Sequence, residues 1–291
     1  MATYNRSAVL PYSIGSVLGQ SFADFELLVV GDGCTDDSAE AVAAISDSRV
    51  RWIGLPVNSG HQSVPNNVGI EQARGEIVAY LGHDDLWLPG HLAGLIAAID
   101  AGADLAHAAL YKPPIPGDYA RIAFVAAYAP GDDIPPSGVA HRRHIIAKSG
   151  SWPHFREVIR WPESDLWRRI HAAGGKLAAV PQLSVIKISG GNRRNVYREQ
   201  PFHEQSHWLE RVRTEPDLAQ RLLLEVTAAI VTPGQLRYAD LIRQFADETV
   251  ARVRRRIDGT YKWPSAPGAA VERLRKFKGL GPVATDAGEK T

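Results

Sequence analysis

Cysteine is nearly missing from this chain. Cys34 is the one cysteine among 291 residues, which excludes an internal disulfide and a cysteine-built zinc site and fits a reducing, cytoplasmic setting. Charge of one sign is missing too. Lys and Arg total 33 against 32 Asp and Glu, a net charge of +1, so no global field directs the chain to nucleic acid. No apolar run reaches the roughly twenty residues that a membrane-spanning helix needs. The opening run Met1-Ala2-Thr3-Tyr4-Asn5-Arg6 lacks the apolar segment of a secretory signal. None of the ten histidines forms an H-x-x-x-H pair joined by a third ligand on the same helix. No G-x-G-x-x-G follows an apolar strand, which argues against a dinucleotide-dependent dehydrogenase. What remains is an ordinary globular composition, 45% hydrophobic and 22% charged, enough for one large domain or two small ones.

One stretch stands out, Ala79-Tyr80-Leu81-Gly82-His83-Asp84-Asp85-Leu86-Trp87-Leu88-Pro89. The apolar run Ile77 to Leu81 predicts a buried strand. Pro89 is expected to open a helix with Leu92, Leu95, Ile96 and Ile99 on one face. Asp84 and Asp85 then stand just past a strand's end, the edge at which open α/β sheets bind ligands. Adjacent carboxylates there suit a hard divalent cation, and the cation suits a diphosphate. The same two acids would also serve simply as caps of the next helix.

Elsewhere the pattern alternates. Val9, Leu10, Ile14, Val17 and Leu18 have helical spacing, with Asn5 or Ser7 as a cap. Phe25 to Val30 predicts a strand running into Gly31-Asp32-Gly33-Cys34-Thr35-Asp36-Asp37-Ser38, a glycine turn in which Thr35 or Asp36 can cap a helix reaching about Ile45. A strand is expected over Val50 to Leu55, a turn over Asn58 to His61, and a helix from about Pro65 to Ala73. Such alternation predicts an α/β fold, a doubly wound, mostly parallel sheet flanked by helices and joined by right-handed crossovers. No apolar strand precedes the first helix, so that strand is expected upstream of Met1 or replaced by another segment. Weaker strands are expected around Ala106 to Leu110 and Ile122 to Tyr128, and a short helix ending at Gly150. A proline-started helix is expected over Trp161 to Ile170, stopped by Gly174-Gly175, followed by a final strand over Leu177 to Val180.

From Pro216 the character changes. Leu218, Leu222, Val226 and Ile230 mark one amphipathic helix; Leu241, Phe245, Val253 and Ile257 mark a second, beyond the Thr232-Pro233-Gly234 break. Between Arg252 and Lys278 nine Lys and Arg face two acids, with Tyr261, Trp263 and Phe277 interleaved. A basic, aromatic-bearing tail can lie on an anionic membrane surface; a solvated helix face with a disordered end would read the same way.

Taken in order, Thr3-Tyr4-Asn5-Arg6, Gly31-Asp32-Gly33-Cys34-Thr35-Asp36-Asp37, Gly82-His83-Asp84-Asp85 and Pro162-Glu163-Ser164-Asp165-Leu166-Trp167 resemble family 2 glycosyltransferases of the GT-A fold, over about residues 1 to 190. The resemblance implies a hexosyltransferase-type enzyme of polysaccharide or glycoconjugate biosynthesis. It would move a sugar from a nucleotide diphosphate, UDP favoured, to a saccharide or glycoconjugate hydroxyl, with inversion and with Mn2+ or Mg2+. Residues 1–212 would be the nucleotide-sugar-binding and catalytic domain, and 213–291 a helical extension with a basic tail. Asp85, last in the D-x-D-like motif, would hold the metal, and Asp84 would contact the ribose. Asp32 would hydrogen-bond the base, against which Thr3 and Tyr4 pack. Aligned on Leu166-Trp167, the general base is Glu163, with Asp165 the second acid. Arg193, Arg194 and His203 lie in a polar loop that could close over the diphosphate or be merely solvated.

Three departures qualify the resemblance. Gly31 and Gly82 stand where many members carry acids, and Cys34 stands where serine is common. His83 could be a third metal ligand or could only shape the pocket. Two rivals keep the fold: a sugar nucleotidyltransferase, which would want a Gly- and Lys-rich loop that Thr3 to Ser7 does not provide, and a catalytically weak binding or scaffolding protein.

Overall fold

The computed structural model of the chain describes residues 1–115, 119–159, 161–188, 195–199, 202–231, 266–281 and 283. In order, the elements are β1 (Ala2–Thr3), α1 (Leu10–Leu18), β2 (Leu27–Asp32), α2 (Ser38–Ala43), β3 (Val50–Leu55), α3 (Ser63–Gln72), β4 (Ile77–Ala79), β5 (Leu86–Trp87), α4 (His91–Asp100), β6 (Leu105–Lys112), β7 (Arg121–Ala123), β8 (Val139–Arg142), α5 (Ile146–Ser149), α6 (Pro162–Ala172), β9 (Leu177–Ile186), α7 (Val196–Glu199), α8 (His203–Thr214), α9 (Leu218–Val231) and α10 (Ala269–Phe277).

The first three strands form a parallel sheet in the order β1-β2-β3, with Thr3 opposite Gly31 and Asp32 opposite Leu55. Every residue of β2 is buried, which is why its sequence is a continuous apolar run rather than an alternating one. Ahead of α1, where the sequence pattern shows no strand, Ala2–Thr3 pairs in parallel with β2. Its pairing is reinforced by the Met1 amine donating to the Leu28 carbonyl at 2.7 Å and by the Val30 N–H donating to the Met1 carbonyl at 2.8 Å.

A second, mixed sheet runs β4-β8-β6-β9-β5, with β7 on β6. β6 and β9 are parallel, and the other pairs are antiparallel. Two corrections arise here. Val139–Arg142 is a strand, hidden by its polar His141 and Arg142; the His141 ring is satisfied inside the core by the Tyr80 hydroxyl at 2.7 Å. The last strand continues past Pro181 to Ile186, because register shifts beside Ala109 absorb the residues that cannot pair. The helix after Pro89 begins at His91, and Leu92, Leu95 and Ile99 are its buried face.

α6 starts at Pro162 and ends before Gly174, whose φ of 83° is left-handed. Leu166, Trp167 and Ile170 are fully buried and anchor it against Tyr80, Trp152 and Leu105; Trp167 Nε1 donates to the Ile134 carbonyl at 2.9 Å. Trp208, Leu209 and Val212 of α8 share one apolar cluster with Leu218, Leu222 and Val226 of α9 and with Leu86, Leu183 and Ile186 of the sheet, so the start of the C-terminal region packs as part of the same core. The helix expected through Leu241, Phe245, Val253 and Ile257, the Thr232-Pro233-Gly234 break, and Tyr261 and Trp263 of the tail lie outside the described residues. Among the described residues no helix is long and apolar enough to cross a membrane.

Candidate active site

A cavity of about 480 Å³ opens at the carboxyl ends of β1, β2 and β4, beside the first turn of α6 and under α10. Thr3, Tyr4, Asp32, Asp84 and Glu163 all line it, so residues from four separated motifs converge on one space.

At one end sits Asp32, 4% exposed at the last position of β2. Its carboxylate accepts from Asn58 Nδ2 at 3.0 Å and from the Ser59 N–H at 2.9 Å. Burial raises its pKa, and the Ser59 and Gly60 hydrogen bonds only partly offset this. Gly33, with φ of 67°, lets the chain turn there; a Cβ on it would lie 2.3 Å from the Asn58 nitrogen. Thr3 is buried with its Oγ1 unpartnered among the described residues, and the Tyr4 ring lies 6.4 Å from that of Tyr197. Arg275 of α10 donates to the Gly60 carbonyl at 2.8 Å and to Asn58 Oδ1 at 3.3 Å. Lys278 also lines the cavity. The C-terminal segment is thus part of the site. The Cys34 thiol points to the Thr3 carbonyl at 3.7 Å and, through burial, is raised in pKa.

The middle of the cavity holds the acidic pair, whose two members face different ways. Asp84 lines the cavity, whereas Asp85 is completely buried beneath it. Asp85 accepts from Lys187 Nζ at 2.6 Å, from the Ile188 N–H at 3.0 Å, and from the Ser137 hydroxyl. Burial pushes the Asp85 carboxyl up to about 6, against the pull of Lys187. Burial would also raise Asp84, but His83, Lys187, Arg6 and Lys278 outweigh it and hold that carboxylate at about 2. His83 is half-buried, and desolvation pushes it down to about 4, hence neutral near pH 7. Its Nε2 meets the Tyr197 hydroxyl at 3.3 Å, and its Nδ1 has no partner among the described residues.

Both glycine departures have steric causes. A Cβ on Gly31 would fall 2.3 Å from the Trp52 ring, and one on Gly82 would fall 2.8 Å from Asp85 Oδ2. Neither position has room for an acid in this packing. The donor set therefore tests poorly for a divalent cation. Both oxygens of Asp85 are committed to fixed donors, one of them a cation. Among the described residues no three His, Cys, Asp or Glu side chains group as cation ligands. Mn2+ or Mg2+ held by Asp85, as the resemblance implies, does not fit this arrangement.

At the far end the two acids of α6 part company. Glu163 lines the cavity; its Oε2 is buried without a hydrogen-bond partner among the described residues. Burial raises its pKa to about 7, with Asp133 adding to the rise and Lys187 opposing it. Asp165 does not line the cavity. It accepts from Arg168 at 2.6 Å and from Arg169 at 2.7 Å. Burial works against its ionisation, but those arginines hold its pKa below the usual carboxylate value. Arg169 in turn donates to the Ser149 and Ser151 carbonyls, so Asp165 ties α6 to the segment after α5. His203 is exposed at the start of α8 and does not line the cavity; Arg193 and Arg194 lie outside the described residues. Lys187, Lys278, Arg275 and Tyr197 are site residues that sequence reasoning missed. The one signal for Lys187 was a lone cation at the end of the apolar Leu183-Ser184-Val185-Ile186 run.

Comparisons with known proteins agree with this architecture. Residues 1–123 match the family model for glycosyl transferase family 2. The Campylobacter jejuni protein named GalNAc(5)-diNAcBac-PP-undecaprenol beta-1,3-glucosyltransferase is 33% identical over 105 residues, 34% of this chain and 33% of its own. S. aureus TarS 1-349 in complex with UDP-GlcNAc aligns with a TM-score of 0.56 at 17% identity, over 79% of this chain and 72% of that one. The mannosyltransferase PcManGT from Pyrobaculum calidifontis, in complex with GDP-Man and Mn2+, aligns with a TM-score of 0.55 at 16% identity, over 94% and 86%. The chain spans between about a third and a half of the length of the curated relatives it matches, 51%, 34% and 33% of three of them. The fold is GT-A, and the segment that carries Thr3, Asp32 and the Asp84-Asp85 pair, residues 1–123, matches the model of glycosyl transferase family 2.

Proposed function

We propose that this chain transfers a glycosyl group from a nucleotide diphosphate to a hydroxyl of a saccharide or glycoconjugate, with inversion. The observation that carries the reading is Glu163. A carboxyl whose pKa is about 7 lines the same cavity as Asp32, Thr3 and Tyr4 at one end and the Asp84–Lys187 cluster in the middle. A general base works best with a pKa near the operating pH.

In this reading the nucleoside base lies against Tyr4 and Thr3. Asp32 accepts from an imide N–H of the base, which favours uracil and hence UDP; guanine also presents a ring N–H, so GDP is the competitor to test. The acceptor hydroxyl gives its proton to Glu163 as its oxygen attacks the anomeric carbon. The bond from that carbon to the diphosphate oxygen breaks on the opposite side, and a single displacement inverts the centre. The diphosphate leaves with its charge facing Lys187 and Lys278, fixed cations that need no reorganisation as charge develops. Asp165 holds α6, and so Glu163, in place.

The acceptor class is a saccharide carried on a lipid or other conjugate. The printed name of the Campylobacter relative contains an undecaprenol-linked acceptor, and a basic C-terminal tail would bring the active site to an anionic membrane surface on the cytoplasmic side. A panel of UDP-, GDP- and TDP-sugars tests the reading by nucleotide release. Turnover of one donor that is stimulated by a saccharide acceptor supports it. Binding of nucleotides without release from any donor would instead favour a scaffolding role.

A further inference from the structure

We infer that the ammonium of Lys187 takes the place of the divalent cation at the leaving diphosphate, so that this site works on a nucleotide diphosphate without a resident metal; this rests on the proposed glycosyl transfer. Three observations carry it. First, Asp85, the acid to which the resemblance gives the metal, is already paired. Lys187 Nζ sits 2.6 Å from Asp85 Oδ2, and the other Asp85 oxygen accepts from the Ile188 N–H at 3.0 Å. Second, Gly82 leaves the motif one acid short and Asp84 as its one cavity-lining carboxylate, because a side chain on Gly82 would meet Asp85 Oδ2 at 2.8 Å and Asp84 Oδ1 at 3.3 Å. Third, the ammonium is aimed at the cavity. Asp85 is 0% exposed and Lys187 is 22% exposed, and Lys187 lines the cavity while Asp85 does not.

An ammonium has three donors. One goes to Asp85, which fixes the side chain, and two remain for phosphate oxygens. Further cations gather at the same place. The Arg6 guanidinium lies 5.5 Å and Lys278 Nζ 5.9 Å from the centre of the Tyr197 ring, whose hydroxyl reaches His83 beside Asp84. Arg6, Lys187 and Lys278 thus outnumber Asp84 and Asp85, and neutral His83 adds nothing. Over its whole lining the cavity balances Lys112, Lys187, Arg275 and Lys278 against Asp32, Asp84, Asp133 and Glu163, so it is this local cluster, and not the cavity at large, that suits an anion carrying more than one negative charge. A compact lysine charge serves phosphate well without bidentate geometry.

The test is nucleotide binding by calorimetry, with UDP as the probe and GDP in its place if it ranks first in a melting-temperature screen. For the wild-type protein, affinity for the nucleotide in excess EDTA and in millimolar manganese should agree within about threefold, and electron paramagnetic resonance should show no protein-held manganese. In EDTA, Lys187→Ala should lose at least about tenfold in affinity for the diphosphate and keep its affinity for the free nucleoside, while Lys187→Arg should recover part of the loss. Manganese that tightens wild-type binding tenfold or more, a protein-held manganese signal, or Lys187→Ala that binds as the wild type does would each overturn the inference. Should Lys187→Ala fail to fold, the wild-type manganese titration decides alone. Tight but metal-dependent binding leaves the transferase reading standing and removes only the ammonium's role; no binding of any nucleoside diphosphate, with or without manganese, removes both.

Discussion

Replacing Glu163 by glutamine should make this protein more stable and far less active at the same time. Moving a carboxyl from 4.5 to about 7 on folding corresponds to an upper bound of roughly 3 kcal/mol against the ionised folded state. Glu163 keeps part of its surface in the cavity, so solvent screening reduces this to about 1–2 kcal/mol. The sign follows from the protons bound. Below pH 4.5 both the folded and the unfolded carboxyl are protonated, and the cost vanishes. Between 4.5 and about 7 the unfolded chain ionises first, so stability falls with rising pH. Above about 7 the cost is fully present. Neutral glutamine escapes it, so at pH 8 Glu163→Gln should melt about 2–6 °C higher than the wild type, and at pH 4 the difference should disappear. Turnover should fall at least about a hundredfold, near 3 kcal/mol of barrier, with nucleotide affinity little changed. For the wild type, kcat/KM should decline as pH drops below about 7, as the base takes up its proton. Melting curves across that pH range and turnover with the chosen donor measure all of this. A variant that melts lower at pH 8, or that turns over at near-normal rate, refutes the assignment of Glu163 as a desolvated general base.

Asp165→Asn should behave in the opposite way. Losing the charge that accepts from Arg168 and Arg169 should destabilise the fold by about 1–2 kcal/mol, read as a lower melting temperature, with turnover reduced less than tenfold; greater damage to turnover than Glu163→Gln shows would move the base to Asp165. Gly31→Ala should destabilise by about 1–3 kcal/mol through its collision with the Trp52 ring, and Trp52→Leu should relieve much of that loss in a double-mutant melting comparison.

Local pattern showed most of the scaffold. β2 announced itself as six apolar-to-acid residues, and α6 by a proline, two acids and a glycine stop. Val139–Arg142 stayed hidden because its polar side chains find partners only across the sheet, as His141 does with Tyr80. The end of β9 stayed hidden because Pro181 breaks the local signal and the pairing register slips beside Ala109. The convergence of Thr3, Asp32, Asp84 and Glu163 on one cavity was legible through the resemblance, and for Asp32, Asp84 and Glu163 also because each follows an expected strand or opens an expected helix. What each carboxylate of the central pair does was not. Asp84 and Asp85 are chemically alike in the sequence, and their division into a cavity-facing acid and a buried one comes from Lys187, 102 residues away. Arg275 and Lys278 were invisible for a related reason. A basic amphipathic tail reads as solvated unless something shows that it returns to the strand ends.

The most direct test of the central claim is nucleotide release from a panel of UDP-, GDP- and TDP-sugars with saccharide acceptors, run in parallel on the wild type and Glu163→Gln. The account predicts that the wild type releases nucleotide from at least one donor, that an acceptor stimulates release, that the new linkage is inverted by proton NMR, and that Glu163→Gln binds the same donor while releasing at least about a hundredfold less. A wild-type protein that binds nucleotides in this cavity yet releases none from any donor, or a product of retained configuration, would contradict it.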